Sequence, residues 1–479
     1  MLLSSRVAFF NHDQLELMKA RVFELLEHRG VKMDHSEILK ILAKAGAMVD
    51  FDSKIVRLSK AFLEEQIRQA PTKIALAGRS GKSRIELPRE DGTFHTRTNT
   101  GAQSWIDLES GEYRRITASD VVDWARLTDR LDQISLCAFP VPSDVPTATP
   151  DVHALNLMLQ NVEKHVWIQP YTTESVDYLI DLAITASGGD QTLRTESPVS
   201  FITCSLTPLE FKHMDLDIIL KCARSGIPLH ACSLPGAGAT APITMPGVVI
   251  VAAAEILAML AAAQVIRPGI PIIATPLIFS TDMMTGRSLQ SSAESMQGAA
   301  LAVQFIKAAY GLPTHTYGAG SDSPTLDGQC MSEGALRSML IGLSGADILG
   351  GAGQLEVATT ISPVQLAIDN EVFGAVRRMI ADISFDDDSL AWADLLAVEP
   401  GGNFLTGDHT LRHCRDGLMP INFTRMSRED WKNDNQDDLV ARAGQYCRSI
   451  LETAEPSGLP EHVIHEMNSI VERADRELG

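Results

Sequence analysis

Residues able to do chemistry recur at regular places through the middle of this 479-residue chain, at or near the ends of short apolar runs. HVWIQPYT puts Trp167, Gln169 and Tyr171 on one face, and PVSFITCSL puts Thr203 and Ser205 opposite Cys204. His230 and Cys232 share a face of PLHACSLPG, while Phe279 and Asp282 close the run PIIATPLIFSTD. His315, Tyr317, Ser321 and Asp322 follow in PTHTYGAGSD, and Gln354 and Glu356 end ADILGGAGQLEV. The absences narrow the chemistry. No Lys stands on any of these runs, so a Schiff-base mechanism has no nucleophile. Cys204, His230 and Cys232 make a zinc set conceivable, although small cysteines are equally at home in a barrel core. His409-x3-His413-Cys414 has ligand-like spacing without a carboxylate companion. Asp322 and Glu356 could act as a glycosidase pair, but the Trp and Asn residues that hold sugars are scarce. The inventory fits a small, partly aromatic, nearly neutral pocket.

Positioning such residues at successive strand ends requires a repeating scaffold. Strand-like runs at 98–107, 134–142, 165–172, 198–206, 228–236, 271–280, 313–322 and 346–357 alternate with helical stretches at 117–132, 151–163, 173–187, 208–225, 247–266, 290–310, 328–344 and 363–382. Thr117 caps one helix and Pro208, after Thr207, is read as the first residue of another. Glycines in ARSGIP and AAYGLP end two more. Eight strands alternating with eight helices predict an α/β fold, a (β/α)8 TIM barrel, over residues 98–382. A doubly wound sheet would carry a glycine fingerprint after its first strand, which TNTGAQSWID lacks. Residues 1–97 read as an N-terminal helical segment with a β-ribbon, and 383–479 as a C-terminal helical extension.

Composition excludes several functions. A net charge of −20 offers no basic surface to nucleic acid or anionic lipid. Seven cysteines without CxxC spacing suit a reducing cytoplasm, and the start MLLSSRVAFFNHD is too interrupted for a secretory signal. The apolar stretch 247–266, whose sole charge is Glu255, is long enough for a membrane span. A mid-helix carboxylate and missing basic flanks favour a core helix packed under the terminal segments or a second subunit. LPGAGATAPITMPG lacks the Lys of a phosphate loop. Its Gly236 and Gly238, with Gly318, Gly320, Gly351 and Gly353, could instead pave a rim for a broad planar ligand.

Several of these stretches carry a resemblance: LLEHRGVKMDHSEILKILAKAGAMVD, GAGATAPITMPGVVIVAAAEILA, YGAGSDSPTLDGQ, LGGAGQLEVATTISPVQLAIDNEVFGAVRRM and PGGNFLTGDHTLRHCRDGLMP. The chain resembles the trimethylamine methyltransferase family nearly end to end. That resemblance implies a barrel enzyme moving a methyl group from a methylated amine to Co(I) of a corrinoid (cobalamin) on a partner protein. The family's founding members carry pyrrolysine, expected near 317–330 or 349–356; this chain has ordinary residues throughout and is similar to the branch that acts on glycine betaine. A quaternary ammonium leaves as a neutral amine and needs no acid, so the enzyme's part reduces to orientation and desolvation. Trp167, Tyr171, Phe279 and Tyr317 are candidates to face the ammonium, with Asp322 and Glu356 as acidic ones. His230, His315 and Gln354 are candidate donors to a substrate carboxylate, and His315, Tyr317 and Glu356 candidate positioning groups. The expected partners are a small quaternary amine and a corrinoid-binding protein, with no nucleic acid, no membrane and no metal bound directly by this chain, in a homo-oligomer. The alternatives are a zinc-dependent corrinoid methyltransferase using Cys204, His230 and Cys232, and a barrel that binds corrinoid or amine without turnover.

Overall fold

Eight short parallel strands occupy the centre of the computed structural model, which describes residues 7–81, 83–99, 101–454 and 458–479. They are β1 (His95–Thr98), β2 (Leu136–Ala138), β3 (His165–Ile168), β4 (Val199–Cys204), β5 (Leu229–Ser233), β6 (Ile272–Pro276), β7 (His315–Tyr317) and β8 (Ile348–Ala352). Consecutive strands pair, β8 returns to β1, and the Ala274 N–H donates to the Pro313 carbonyl (2.9 Å) where β6 meets β7. The ring is closed. A helix follows each strand, from Ala118–Arg130 after β1 to Pro363–Ile380 after β8. This is the barrel that the alternation predicts. The residues Met1 to Arg6 at the start, and Thr100 within the first expected strand, lie outside the described residues.

Two elements differ from the sequence reading. The first strand is His95–Thr98, three of its four residues in the stretch assigned to the N-terminal segment, whereas Ser104–Ile106 pairs antiparallel with Tyr113–Arg115 in a ribbon above the barrel. HTRT carries no apolar residue, so hydropathy hides it. It is buried because its polar groups find partners inside: Thr98 Oγ1 donates to the Ala138 carbonyl (3.2 Å) and Arg97 Nη1 to the Thr98 carbonyl (2.7 Å). The helix expected from 208 begins at His213 instead. Leu209 has φ +58°, and Glu210–Phe211 pairs with the N-terminal strand Val31–Met33 rather than starting a turn of helix.

Local signals elsewhere act as expected. Thr117 and Asp120 form a reciprocal capping box, and Gly226 and Gly311 end their helices in the left-handed region (φ +78° and +68°). Met245–Ile266 is the one helix among the described residues long and apolar enough to cross a membrane. It is nonetheless packed inside, between the barrel strands β5 and β6 and the N-terminal helices His12–Glu24 and Lys60–Gln69. Its Glu255 is fully buried and accepts from Thr207 Oγ1 (2.9 Å), Ser233 Oγ (2.5 Å), the Leu209 N–H (2.7 Å) and Ser205 Oγ. A buried carboxylate with four donors pins the helix to the loop after β4.

The hairpin Ile74–Ala77/Arg84–Leu87 plugs the bottom of the barrel. Its Ile74, Leu76, Ile85 and Leu87 pack on Leu136, Ile273 and Ile348 at the strand beginnings. Only the top, where strands end, is left for a ligand.

Candidate active site

The upper barrel interior is an apolar layer of Ala138, Trp167, Ile202, Cys232, Leu277 and Tyr317, with Phe279 packed on it. Over this layer opens a cavity of about 450 Å³. β3 contributes Trp167 and Gln169 to it, β4 contributes Ile202 and Cys204, and β7 contributes Tyr317. Leu277 and Phe279 come from the stretch after β6, and the ribbon supplies Ser104, Tyr113 and Arg115. A larger hollow of about 560 Å³ lies against the bottom hairpin, away from the strand ends and lined by no aromatic residue.

One wall is held in a costly shape. Glu356, Val357 and Ala358 have φ of +46°, +54° and +74°, three successive non-glycine residues in the left-handed region, and Val357, Ala358 and Thr359 face the cavity. Each such residue costs roughly 1–2 kcal/mol. The loop after β7 holds them there: the Glu356 N–H donates to the Ser323 carbonyl (3.1 Å) and the Val357 N–H to that of Ser321 (3.3 Å). Asn99 Nδ2 adds a bond to the Ala358 carbonyl (3.2 Å). Strain of this kind gathers at ligand sites.

Trp167, Phe279 and Tyr317 meet at the cavity, with the rings of Phe279 and Tyr317 6.4 Å apart and steeply crossed at 79°. The other candidates stand elsewhere. Tyr171 is turned to the Gly101 carbonyl (3.4 Å), and Asp322 caps the Gln290 and Ser291 N–H groups (3.0 and 2.9 Å). Gln354 is buried against Gln290, and the Glu356 carboxylate accepts from Thr360 Oγ1 (2.5 Å). His230 and His315 are fully buried in the barrel beneath the cavity and do not reach its wall. Cys204 and Cys232 face each other across β4 and β5, but among the described residues they and His230 do not bring their ligand atoms within 4.8 Å of one another. Of the six glycines, Gly318, Gly320, Gly351 and Gly353 are buried, and their missing side chains make room for protein. A Cβ on Gly351 would stand 3.0 Å from the Tyr317 ring, and one on Gly353 2.5 Å from Trp124. Only the half-buried Gly236 and the exposed Gly238 reach the surface, Gly238 beside the exposed Ile243 and Met283.

Sequence reasoning missed Arg97 and Arg115. Arg97 is fully buried with its guanidinium carbon 4.2 Å from the centre of the Trp167 ring. Its Nε donates to His315 Nε2 (3.1 Å), and His230 lies 5.3 Å beyond, ring to ring. No carboxylate pairs with Arg97 among the described residues, and its Nη2, Trp167 Nε1 and the Nδ1 atoms of both histidines have no hydrogen-bond partner. Burial lowers the Arg97 pKa to about 10, which leaves it a cation. Burial and then the Arg97 charge push both histidines well below their ordinary range, so they are neutral. Gly350 is required here, because a Cβ would stand 2.6 Å from His315 Nε2 and 2.8 Å from Arg97 Nη2. Arg115 is the one charged residue on the cavity wall among the described residues; it is exposed, and its Nη1 donates to Gln103 Oε1 (3.1 Å). An arginine inside an otherwise uncharged run is the sequence signal that HTRT offered.

Fold and site together define a (β/α)8 barrel with a small, aromatic cavity at its strand ends that no acidic group lines among the described residues. The trimethylamine methyltransferase (MTTB) family model matches residues 4–479, and the chain belongs to that family. It is a methyltransferase. A trimethylamine methyltransferase of Desulfitobacterium hafniense is 31% identical over 477 residues, covering 99% of this chain and 95% of that protein. A glycine betaine methyltransferase of the same species is 25% identical over 471 residues, covering 98% and 97%. Among solved structures, the monomethylamine methyltransferase of Methanosarcina barkeri superposes with a TM-score of 0.56 at 14% identity, over 96% of this chain and 90% of that one. That likeness supports the barrel fold.

Proposed function

We propose that this methyltransferase takes its methyl group from a zwitterionic quaternary amine of the glycine betaine type and passes it to Co(I) of a corrinoid on a separate protein. The observation that carries the reading is the charge pattern of the cavity. Trp167, Phe279 and Tyr317 line the wall as aromatic partners for a cation, the wall has no carboxylate among the described residues, and its single charge there is Arg115. A trimethylammonium group gains roughly 0.5–2 kcal/mol per ring contact, while the substrate carboxylate takes a charge-assisted bond from Arg115 at the mouth. The corrinoid, when docked, supplies the nucleophile that accepts the methyl group. The exposed loop of Gly236 and Gly238, with Ile243 and Met283, fits a broad uncharged partner surface.

The chain's own contribution is orientation and electrostatic bias. Excluding water removes the hydration that stabilises the ammonium, and Arg97 behind Trp167 raises its energy further. As the C–N bond breaks, its electron pair stays on nitrogen and the amine leaves neutral. The repulsion then vanishes, so a positive charge below the pocket favours product over substrate. No general acid is required, in keeping with two neutral histidines and no acid on the wall.

The reducing cytoplasm suits this chemistry, and seven cysteines without a disulfide support it. Exposed apolar side chains such as Phe385, Leu405 and Leu411 support association with further copies of the chain. The test is a single turnover: purified protein, reduced cobalamin and glycine betaine are mixed without oxygen and methyl-cobalamin is followed by absorbance. Formation of methyl-cobalamin and dimethylglycine is expected. Consumption of trimethylamine with betaine untouched would overturn the substrate assignment, and saturable betaine binding without turnover would leave a binding barrel.

A further inference from the structure

Apart from the residues that line the cavity, the C-terminal extension gathers two histidines and a carboxylate. His409 and His413 lie one turn apart on the helix Asp408–His413, with ring centres 4.4 Å apart. Both Nε2 atoms point at Asp388: His413 Nε2 is 2.9 Å from its Oδ2, and His409 Nε2 is 2.8 Å from its main-chain oxygen. Among the described residues this is the one group of His, Cys, Asp and Glu whose ligand atoms all lie within 4.8 Å of one another. The sequence offered His409-x3-His413 without a carboxylate; folding brings one from twenty-one residues upstream. Cys414 stays out of the cluster, its thiol turned to the Leu411 carbonyl (3.4 Å).

We propose that Asp388, His409 and His413 bind one zinc-like divalent transition metal ion. Two imidazoles and a carboxylate are a borderline donor set that suits zinc or cobalt better than magnesium or calcium. Ligand atoms on a tetrahedral ion at 2.0–2.1 Å stand roughly 3.3 Å apart, within reach by side-chain rotation. The fourth position is open to water or the Asp388 main-chain oxygen. His413 also has the outer partner that metal-bound histidines use: its Nδ1 is 2.6 Å from Asp416 Oδ2, so a metal ion would replace the Nε2 proton now shared with Asp388 Oδ2. Arg412 Nη2 rests on Asp388 Oδ1 (2.6 Å) and leaves Oδ2 for the metal.

The surroundings give the ion a purpose. The three six-residue helices Trp392–Ala397, Asp408–His413 and Arg428–Asn433 bury none of their residues. A segment with so little core gains most from a cross-link, and a metal joining residue 388 to helix 408–413 is one.

The full chain, purified without a histidine tag, would be titrated with Zn2+ and with Co2+, and its metal content measured after dialysis. One equivalent per chain is expected, with a tetrahedral Co2+ absorption spectrum. His409→Ala and His413→Ala should each abolish binding, and Asp416→Asn should weaken it roughly 10- to 100-fold while leaving the fold intact. Cys414→Ser should change nothing. Chelator should speed proteolysis within 383–438 in the wild type and not in His413→Ala. A wild type that takes up neither metal, or variants that bind as it does, would overturn the proposal.

Discussion

Replacing Arg97 by Met removes the buried charge while keeping a long side chain in its place. The guanidinium carbon lies 4.2 Å from the Trp167 ring centre, so an ammonium stacked on the cavity side stands about 9 Å away. Two unit charges at that distance, in an effective dielectric of about 20, repel by about 2 kcal/mol, or roughly 20- to 30-fold in an equilibrium constant. Without turnover, betaine should therefore bind Arg97→Met more tightly by about that factor. In turnover, kcat should fall by a similar factor with KM, leaving kcat/KM nearly unchanged. The control is 3,3-dimethylbutanoate, which has betaine's shape and carboxylate but no positive charge. Calorimetry should show the ratio of betaine to dimethylbutanoate affinity rising roughly 20-fold in Arg97→Met and staying near wild type in Arg97→Lys. Lost packing alone would move both ligands together. An unchanged ratio, whether both ligands weaken together or neither moves, would refute the electrostatic argument.

Trp167→Leu should weaken betaine by about 1–2 kcal/mol, roughly 5- to 30-fold in Kd, and dimethylbutanoate by less, both read by calorimetry. Arg115→Gln should weaken betaine by roughly tenfold and leave choline, which has no carboxylate, as it was. Glu255→Leu leaves three hydroxyls and the Leu209 N–H without their acceptor, and should cost about 3–5 kcal/mol in urea denaturation, with Glu255→Gln recovering part. Burial raises the Asp369 pKa from 3.8 to about 7, so the stability its protonated form gives is full below about pH 4 and lost as pH rises through 7. Between pH 5 and 8 the wild type should lose about 3 kcal/mol relative to Asp369→Asn, measured as the change in denaturation free energy.

The scaffold was readable because its signals are local. Thr117, Gly226 and Gly311 declare helix ends through backbone conformation, and seven of the eight strands are apolar enough to stand out. β1 was not, since His95, Thr96, Arg97 and Thr98 are buried for hydrogen bonds made to distant residues. The site divides in the same way. Trp167, Phe279 and Tyr317 follow from the rule that chemistry sits at strand ends. Which polar neighbours sit beside them depends on where a strand stops: two residues below Tyr317, His315 is already beneath the floor. Arg115 reaches the cavity only because Thr360–Ile361 pairs with Ser104–Trp105 and draws the ribbon over the barrel mouth, a contact spanning more than 250 residues. Glycine-rich loops misled for a related reason. A missing side chain frees space, but the sequence does not say whether protein or ligand fills it.

The two sides of the pocket differ in how freely they can be rebuilt. Residues 356–358 are locked into the turn after β7, so altering one disturbs the bonds to Ser321, Ser323 and Asn99 that hold the strained loop. The hairpin 104–115 is tied in by pairing with Thr360–Ile361 and by Arg114 on Asp120, while Tyr113 and Arg115 are exposed side chains on its far strand that line the cavity. Swapping those two exposed side chains removes no buried contact of the barrel. Divergence towards bulkier or uncharged methyl donors would therefore be written mostly in this short flap, making it the natural place to begin when re-engineering what the enzyme accepts.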